Sequence, residues 1–373
     1  MRIMVVGGAG DMGSRAVRDL AQQSEVKSLI IADYNDAKAQ ALADSLKDRK
    51  VTALRVDAND HNSLVSAMEQ CDVVASAVGP FYRFEAKCAA AAIDARRHYV
   101  SICDDYDAAQ AVLDLGERAR ERGITVLTGM GWTPGISNVL ARKAVDELDS
   151  AEEINVAWGS SASDSEGYAV ILHTLHIFSG TVPSFRNGQL IEVRAGSGRE
   201  RVSFPQPVGE VNVFHLGHPE PVTLPRTFTS VKTVTLKGGL SEEFLNRLAI
   251  LMNKLRLTNT PRKRDALGKL LKPLLPALGR IGRPANPCSA VRVDVKGAKA
   301  GQRAHITYGA ADHMNNLTGV PLAIGALMLG RGEIARRGVV APEACVPPDA
   351  FIAELAQRGI RVYEGESLDS QIA

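Results

Sequence analysis

Residues 2–20 contain the pattern that most constrains the fold of this chain: a short apolar run, a glycine-rich turn and a helical stretch. The run Arg2–Val6 is rich in branched apolar side chains, and Gly8, Gly10 and Gly13 follow it with G-x-G-x-x-G spacing. In this spacing the first glycine permits a tight turn, the second lets a pyrophosphate approach the backbone, and the third lets helix and strand pack closely. The pattern therefore predicts a dinucleotide-binding turn at the N-terminus of a helix.

A carboxylate stands where the ribose of such a ligand needs one. A second apolar run, Leu29–Ala32, ends at Asp33, twenty residues after Gly13. An acid at this distance hydrogen-bonds ribose hydroxyls and repels a 2′-phosphate, and Tyr34-Asn35 offers no adjacent arginine to receive one. We therefore predict NAD as the preferred cofactor, with NADP as the other possibility. The alternative role of Asp33 is a helix cap or a solvated loop acid.

Strand-like and helix-like segments alternate up to about residue 130. Strands are predicted at Val51–Val56, Asp72–Ala77, His98–Cys103 and Ile124–Thr128, with helices around 36–47, 61–70, 84–95 and 107–122. This alternation is typical of the α/β class, in which a doubly wound parallel sheet, the Rossmann arrangement, binds ligands beyond the carboxyl ends of its strands. The residues predicted to contact the cofactor are Gly8, Gly10, Asp11, Met12, Gly13, Asp33, Asp57, Ala77, Val78 and Gly79.

After residue 130 the pattern changes. Alternating or β-branched runs predict strands at Glu153–Trp158, Tyr168–Leu175, Thr229–Leu236, Ser289–Lys296 and Arg303–Ala310. Leu317–Leu329 predicts a buried helix, and because it is short and contains Pro321 it is not expected to span a membrane. Beyond Pro347, with Asp349 as N-cap, we expect a final helix and strand.

Composition narrows the class of protein. The 373 residues carry a net charge of +2 and are 45% apolar, which is typical of a globular protein and gives no basis for nucleic-acid binding. Five cysteines are widely spread without a C-x-x-C pair, so neither a disulfide framework nor a cysteine-rich zinc site is expected. The sequence opens directly on a strand-like run, without a separate leader. We therefore expect a cytoplasmic protein with no membrane partner.

A family resemblance appears at the end of the alternating region. Gly131, Pro134, Gly135 and Asn138 form a G-x-x-P-G-x-x-N motif directly after the last predicted strand. The motif resembles that of the saccharopine dehydrogenase-like oxidoreductases, and the pattern is closest to their lysine 6-dehydrogenase-like members. Further matching positions are Val56-Asp57-Ala58, His176-x-Phe178-Ser179, Arg186-Asn187-Gly188, Arg264-Asp265, Leu271-Lys272-Pro273-Leu274-Leu275, Gly330-Arg331-Gly332, Arg337-Gly338-Val339 and Pro342-Glu343.

The resemblance implies a domain plan and an activity. It implies a Rossmann domain at 1–130, completed by a returning helix at 317–330. It also implies a substrate and dimerisation domain with a mostly antiparallel sheet at 131–316 and 331–373. The implied activity is NAD(P)-dependent hydride transfer at a C–N bond of an amino acid or polyamine-like amine, by a homodimer. The loops at 79–83 and 101–106 depart from the family pattern, so the specific substrate is not carried over.

Candidate catalytic residues lie near the predicted strand ends. Tyr82 follows the fourth strand and either contacts substrate or packs under its loop. Asp104 and Asp105 follow the fifth strand, where a carboxylate can bind an ammonium or take a proton, although one of them is expected to cap a helix. His176 is a candidate proton carrier, with a core histidine as the alternative. The predicted substrate pocket is formed by Trp132, Pro134 and Gly135.

Other patterns leave alternatives open. His173-x-x-His176 and His215-x-x-His218 lack an obvious third ligand, so no metal is expected. Residues 254–283 contain nine basic residues and the single acid Asp265, which indicates a solvated helical surface, a dimer contact or a dock for an acidic carrier. The carrier dock would suit an enoyl or acyl reductase acting on carrier-bound substrate. A non-catalytic NAD(H) sensor is the third possibility.

Overall fold

The structure is a computed structural model that describes residues 1–164, 167–273 and 284–372. The chain divides into two units. The first unit comprises Met1–Gly135 and Thr318–Val346, and the second comprises Ile136–Leu317 and Pro347–Ala373.

The secondary structure elements are numbered here in chain order. The strands are β1 Arg2–Val6, β2 Ser28–Asp33, β3 Val51–Arg55, β4 Val73–Ser76, β5 His98–Ser101, β6 Thr125–Leu127, β7 Ser150–Ser160, β8 Thr181–Arg186, β9 Gln189–Arg194, β10 Glu200–Ser203, β11 Glu210–His215, β12 Thr233–Leu240, β13 Ser289–Lys299, β14 Gln302–Asp312, β15 Gly338–Val340, β16 Arg361–Glu364 and β17 Ser370–Gln371. The helices are α1 Asp11–Gln22, α2 Asp36–Leu46, α3 His61–Met68, α4 Phe81–Asp94, α5 Tyr106–Leu113, α6 Gly116–Glu121, α7 Ile136–Asp146, α8 Tyr168–Ile177, α9 Glu220–Thr227, α10 Glu243–Lys254, α11 Pro261–Leu271, α12 Met314–Arg331 and α13 Pro348–Gln357.

The first unit is built on a seven-stranded sheet in the order β15-β6-β5-β4-β1-β2-β3. Each neighbouring pair is parallel. Parallel strands are buried on both faces and therefore read as continuous apolar runs, as in β4, where all four residues are buried. The predicted α/β Rossmann sheet is confirmed, and its strands end on the side that carries the glycine turn.

The boundary between the units differs from the one that the sequence suggested. Residues 331–373 were expected in the second domain, but Gly338–Val340 pairs in parallel with Thr125–Leu127 as the edge strand of the first sheet. Residues up to Val346 therefore lie in the first unit. Three residues are too few for a periodic pattern, which is why the strand was not predicted.

The second unit contains a mixed ten-stranded sheet with the path β10-β11-β12-β7-β13-β14-β16-β17, to which β8 and β9 attach through β12. Its β7–β12 pair is parallel, and its other pairs are antiparallel. The mostly antiparallel sheet is thus confirmed. The long β13–β14 hairpin turns at Ala300 and Gly301, which have φ values of 51° and 76°.

One predicted strand is wrong. Tyr168–Leu175 lies in the helix α8. A continuous apolar run of this length fits a buried strand and a buried helix equally well, and the composition of this run, rich in branched and aromatic residues, favoured the strand. The error matters because it changes how His173 and His176 are placed.

Smaller differences concern element ends. Asp349 does not cap α13, because the N-cap is Pro347, and Asp349 instead forms an ion pair with Lys143 at 2.9 Å. The helix predicted around 107–122 is two helices, α5 and α6. None of the helices among the described residues combines the length and apolarity needed to cross a bilayer.

The basic segment is only partly described. Leu274, Leu275 and the rest of 274–283 lie outside the described residues. In the described part, Arg264 is buried in α11, and its Nη1 donates to Thr258 O at 3.1 Å. At least this basic residue of the segment is therefore structural.

Candidate active site

The glycine turn is shaped by close backbone contacts. Gly7 has a φ of 74°, and the amides of Gly7 and Gly8 both donate to Ala32 O, at 2.8 and 3.3 Å. A Cβ at Gly13 would lie 2.2 Å from Gly7 O, so only glycine lets α1 approach the turn this closely. Gly10 is the N-cap of α1 and has no side chain to close the first turn of the helix. The amides of a helix start are thereby left accessible to an anion.

Asp33 closes this turn from the neighbouring strand. Its Oδ2 accepts a hydrogen bond from Ala9 N at 3.0 Å, and its Oδ1 accepts one from Asn35 N at 2.9 Å. The predicted ribose acid is therefore held in place beside the glycine turn, at the carboxyl end of β2.

The other predicted cofactor contacts fall into two groups. Ala77 and Val78 pack on the glycine turn, since a Cβ at Gly7 would lie 2.9 Å from the Ala77 carbonyl and 3.1 Å from Val78 Cγ2. Asp57 instead forms a local turn, in which its Oδ1 accepts from Asn59 N at 2.9 Å and from Asn59 Nδ2 at 3.2 Å. The loop after β4, the neighbour of β1 on the side away from β2, thus completes the turn, while Asp57 stabilises its own loop.

Tyr82 and Asp105, both predicted as catalytic, are joined. Asp105 is fully buried at the N-cap position of α5, and its Oδ2 accepts from Tyr82 N at 2.9 Å. Asp105 thus occupies the N-cap position expected for one of the two acids, but its side chain makes no capping hydrogen bond to α5. Asp104 beside it is only partly buried. The structure therefore brings Tyr82 and both acids to the carboxyl ends of β4 and β5.

A buried carboxyl next to these residues was missed by the sequence reasoning. Glu85 of α4 accepts hydrogen bonds from Tyr99 at 2.9 Å, from Ser101 at 2.5 Å and from Thr128 at 3.3 Å. Burial raises the pKa of Glu85 to about 7, and the nearby Asp105 acts in the same direction. The sequence signal for Glu85 was weak, because charged residues lie two positions away on each side of it, Arg83 and Lys87.

The G-x-x-P-G motif forms a compact turn. Gly131 N donates to Pro134 O at 3.0 Å, and Gly135 has a φ of 128°, where a Cβ would lie 2.0 Å from Gly131 O. Trp132, within the turn, is 7% exposed. The backbone requirement explains Pro134 and Gly135 without a ligand, and Trp132 is the member of the predicted pocket that carries a large side chain.

In the second unit, α8 places His173 and His176 one turn apart. His176 is 6% exposed, and His173 is partly buried. The ring of His173 contacts that of His218 nearly at right angles, with 5.4 Å between centroids. The second histidine pair, His215 and His218, does not share one set of contacts. His218 contacts His173, whereas His215 Nε2 lies 3.2 Å from Arg186 Nη2.

A buried polar cluster surrounds His218, and the sequence reasoning missed it as well. Its Nδ1 lies 3.9 Å from Glu220 Oε2, and its ring lies 5.9 Å from the indole of Trp158. Ser137 donates to Glu220 Oε1 at 3.0 Å, and Glu220 is fully buried. A carboxylate, an imidazole and an indole at one buried place can bind a cationic nitrogen. The sequence signal that could have indicated this cluster is the position of Glu220 two residues after His218.

Comparison with known proteins decides the family. Residues 3–127 match the saccharopine dehydrogenase NADP binding domain, and residues 131–360 match the saccharopine dehydrogenase C-terminal domain. The chain belongs to the saccharopine dehydrogenase family. The resemblance drawn from the sequence motifs is thereby confirmed, and with it the assignment as an NAD(P)-binding oxidoreductase.

Two relatives align with this saccharopine dehydrogenase family member over nearly their full lengths. Carboxynorspermidine synthase of Vibrio alginolyticus is 26% identical over 403 residues, spanning 96% of each chain. Carboxyaminopropylagmatine dehydrogenase of Synechocystis is 21% identical over 391 residues, spanning 97% of each. The solved saccharopine dehydrogenase (L-Glu forming) of Saccharomyces cerevisiae has a TM-score of 0.68, with 18% identity and full coverage of both chains, and so shares the fold.

Proposed function

We propose that this oxidoreductase transfers a hydride at a C–N bond of an amino acid or a polyamine-like amine. The observation that carries the proposal is the match, over 96% or more of the chain, to two relatives whose names describe action on carboxylated polyamine-like compounds. The buried acid of the second unit supports it, because an amine substrate is cationic at neutral pH and needs a counter-charge when it leaves water.

The cofactor half of the proposal rests on the glycine turn. The first-turn amides of α1, at Asp11 and Met12, are positioned to receive a pyrophosphate, with Gly10 leaving the approach open. Asp33 would hydrogen-bond the adenosine ribose, while Gly8 and Gly13 keep the turn tight. Ala77, Val78 and Gly79 would line the nicotinamide half of the same site. NAD or NADP accepts the hydride when bound.

The catalytic part of the proposal concerns the transfer of one proton. An ammonium cannot lose a hydride from its α-carbon until it has given up a proton, and an imine must be protonated before it is reduced. Asp104 is a suitable carrier because its carboxylate follows β5 and is only partly buried. Tyr82 and Asp105 would hold this loop in place through their 2.9 Å hydrogen bond, and His176 remains a second candidate for the proton.

We further propose that Glu220 and His218 bind a cationic nitrogen of the substrate. Glu220 supplies the negative charge, Ser137 orients it through a 3.0 Å hydrogen bond, and Trp158 supplies an aromatic wall. The indole is fixed by contact with Gly238, where a Cβ would lie 2.0 Å from Trp158 Cε2. This cluster is the part of the second unit whose chemistry suits a polyamine-like amine.

Cofactor reduction tests the proposed function directly. Purified protein is supplied with NAD and, separately, NADP across a panel of diamines, basic amino acids including lysine, and N-carboxyalkyl polyamines at mildly alkaline pH. Formation of NADH or NADPH with one of these amines is the expected result. If no amine in the panel reduces the cofactor although fluorescence shows that the cofactor binds, the C–N assignment is overturned. The remaining alternatives are then a reductase of carrier-bound substrate and a non-catalytic NAD(H) sensor.

We also propose that the protein acts in the cytoplasm as a homodimer. All five cysteines are unpaired, which suits a reducing compartment. Exposed apolar side chains on and beside α10 and α11, which support self-association, are Leu251, Leu255, Leu257 and Leu270. Light scattering after gel filtration tests the dimer, and Leu255→Glu is expected to shift the mass to that of a monomer.

A further inference from the structure

A positively charged side chain lies opposite Asp33. Arg55 is the last residue of β3 and is the register partner of Asp33, the last residue of β2. The two side chains therefore leave neighbouring strands at the same edge of the sheet. Arg55 follows Asp33 by more than twenty positions, so the sequence shows no arginine beside Asp33. Strand pairing brings the two residues together.

Tyr34 holds this arginine near the turn. The Cζ atom of Arg55 lies 5.4 Å from the centroid of the Tyr34 ring, a distance at which guanidinium and ring attract each other. Tyr34 is 63% exposed, and Arg55 is exposed as well. The guanidinium thus stays in water, where a phosphate can reach it, while the contact with the ring restricts the positions that it visits.

The charge of Asp33 is partly compensated where a 2′-phosphate would approach. Its two oxygens accept hydrogen bonds from Ala9 N and Asn35 N. With Arg55 at the paired position, the strand ends together carry no net charge. Repulsion by Asp33 is therefore not the only electrostatic effect on a 2′-phosphate at this edge of the sheet. A guanidinium can pair with phosphate through two parallel hydrogen bonds.

We propose that Arg55 binds the 2′-phosphate of NADP, so that the chain accepts NADP as well as NAD. The inference rests on the proposed placement of the adenosine ribose beside Asp33. It assigns the two cofactors to different residues at one strand edge: the ribose hydroxyls of NAD to Asp33, and the 2′-phosphate of NADP to Arg55.

Two adenine nucleotides that differ in the 2′-phosphate test the assignment without turnover. Binding of 2′,5′-ADP and of 5′-AMP is measured by calorimetry for the wild type, Arg55→Met and Arg49→Met. Methionine keeps an unbranched side chain and removes the charge. Arg49 is an exposed arginine just before β3, at the opposite end of that strand, and serves as the matched control.

The expected result is selective. Arg55→Met should weaken 2′,5′-ADP about 10- to 100-fold, the usual effect of losing a charge-assisted hydrogen-bond pair, and leave 5′-AMP within about twofold. Arg49→Met should leave the affinity for both nucleotides unchanged. Asp33→Asn should weaken 5′-AMP and strengthen 2′,5′-ADP relative to it, because the repelling charge is gone.

Four outcomes would overturn the proposal. Equal weakening of both nucleotides by Arg55→Met would show that Arg55 contacts the adenine or the shared phosphate. An unchanged affinity for 2′,5′-ADP would show that it contacts neither. If the wild type binds 5′-AMP but does not bind 2′,5′-ADP, the 2′-phosphate site fails while the dinucleotide placement stands. If it binds neither, the placement fails as well.

Discussion

Asp105 Oδ2 accepts a hydrogen bond from the backbone amide of Tyr82 at 2.9 Å, which ties the segment after β5 to the first turn of α4. Asp105 is fully buried, whereas its neighbour Asp104 is only partly buried. The two adjacent acids are therefore not equivalent: Asp105 stabilises the loop by a contact that a partly buried amide needs, and Asp104 is the acid that we propose as the proton carrier.

Substitution separates these roles. Asp105→Ala removes the acceptor of a partly buried amide and should lower the free energy of unfolding by about 1–3 kcal/mol, measured by urea denaturation. Asp105→Asn keeps an acceptor oxygen and should recover most of that loss. Asp104→Asn should leave the urea midpoint in place and reduce kcat at least tenfold with the amine found in the substrate panel. A reduction in stability by Asp104→Asn equal to that of Asp105→Ala would contradict the division.

Glu85 makes stability depend on pH. Its pKa is raised by burial from 4.5 to about 7, so the folded protein binds a proton that the unfolded chain releases. This contribution is fully present below pH 4.5 and is lost as the pH rises through about 7. At about 1.4 kcal/mol per pKa unit, the loss amounts to ~3 kcal/mol by pH 8.

Glu85→Gln should remove this dependence. The difference in free energy of unfolding between wild type and variant should shift by ~3 kcal/mol in favour of the variant between pH 4.5 and pH 8, measured by urea denaturation. Glu117→Gln, at a glutamate whose side chain is 79% exposed, is the control and should show no comparable shift. A constant difference between wild type and Glu85→Gln would mean that Glu85 ionises as it does in the unfolded chain.

The fold of the first unit was largely predictable because its strands are short apolar runs between helical segments. In β4 each residue is buried, so the strand is visible in the sequence. The strand Gln189–Arg194 alternates exposed and partly buried residues and contains glutamine, glutamate and arginine, so it gave no comparable signal. The strand β15 was missed for another reason, because three residues are too few for a periodic pattern, and Tyr168–Leu175 was predicted as a strand because an apolar run fits a strand and a helix equally well.

The candidate site was predictable only where spacing along the chain defines it. Gly13 and Asp33 belong to a fingerprint whose distances are set by one strand-turn-helix unit. Arg55 and Glu85 are brought to their partners by strand register and by packing of α4 on the sheet, which the sequence does not encode as a spacing. Residues assembled in this way need coordinates before they can be identified.

The glycines of the turn should fail in different ways. A Cβ at position 13 would lie 2.2 Å from Gly7 O, and so Gly13→Ala should lower the free energy of unfolding by about 1–3 kcal/mol. At Gly10 the corresponding distance is 3.3 Å and φ is −74°, which alanine adopts readily.

Gly10→Ala should therefore keep the urea midpoint and weaken NADH binding at least tenfold, because the methyl group occupies the approach of the pyrophosphate. Fluorescence titration with NADH measures the binding. Unchanged NADH affinity in stable Gly10→Ala protein would show that the pyrophosphate does not approach this glycine.

Glu220 should determine affinity for the amine and not for the cofactor. Its Oε1 accepts from Ser137 at 3.0 Å, and its Oε2 lies 3.9 Å from His218 Nδ1. Glu220→Gln keeps the shape and the hydrogen bond but removes the charge. With the amine that turns over in the substrate panel, KM should rise about 10- to 100-fold, while the affinity for NADH stays within about twofold.

Glu242 provides a matched control for this last substitution. It is a buried glutamate of the same unit that also accepts from a serine hydroxyl, Ser161, at 2.7 Å. Glu242→Gln should leave the KM for the amine unchanged, whatever it costs in stability. If both variants raise KM equally, the effect comes from disturbing a buried carboxylate in general, and the second unit must recognise the amine through other residues. If only Glu220→Gln raises it, the charge of Glu220 is the feature that distinguishes a cationic amine from a neutral compound of similar shape, because only the charged ligand gains from a buried counter-ion.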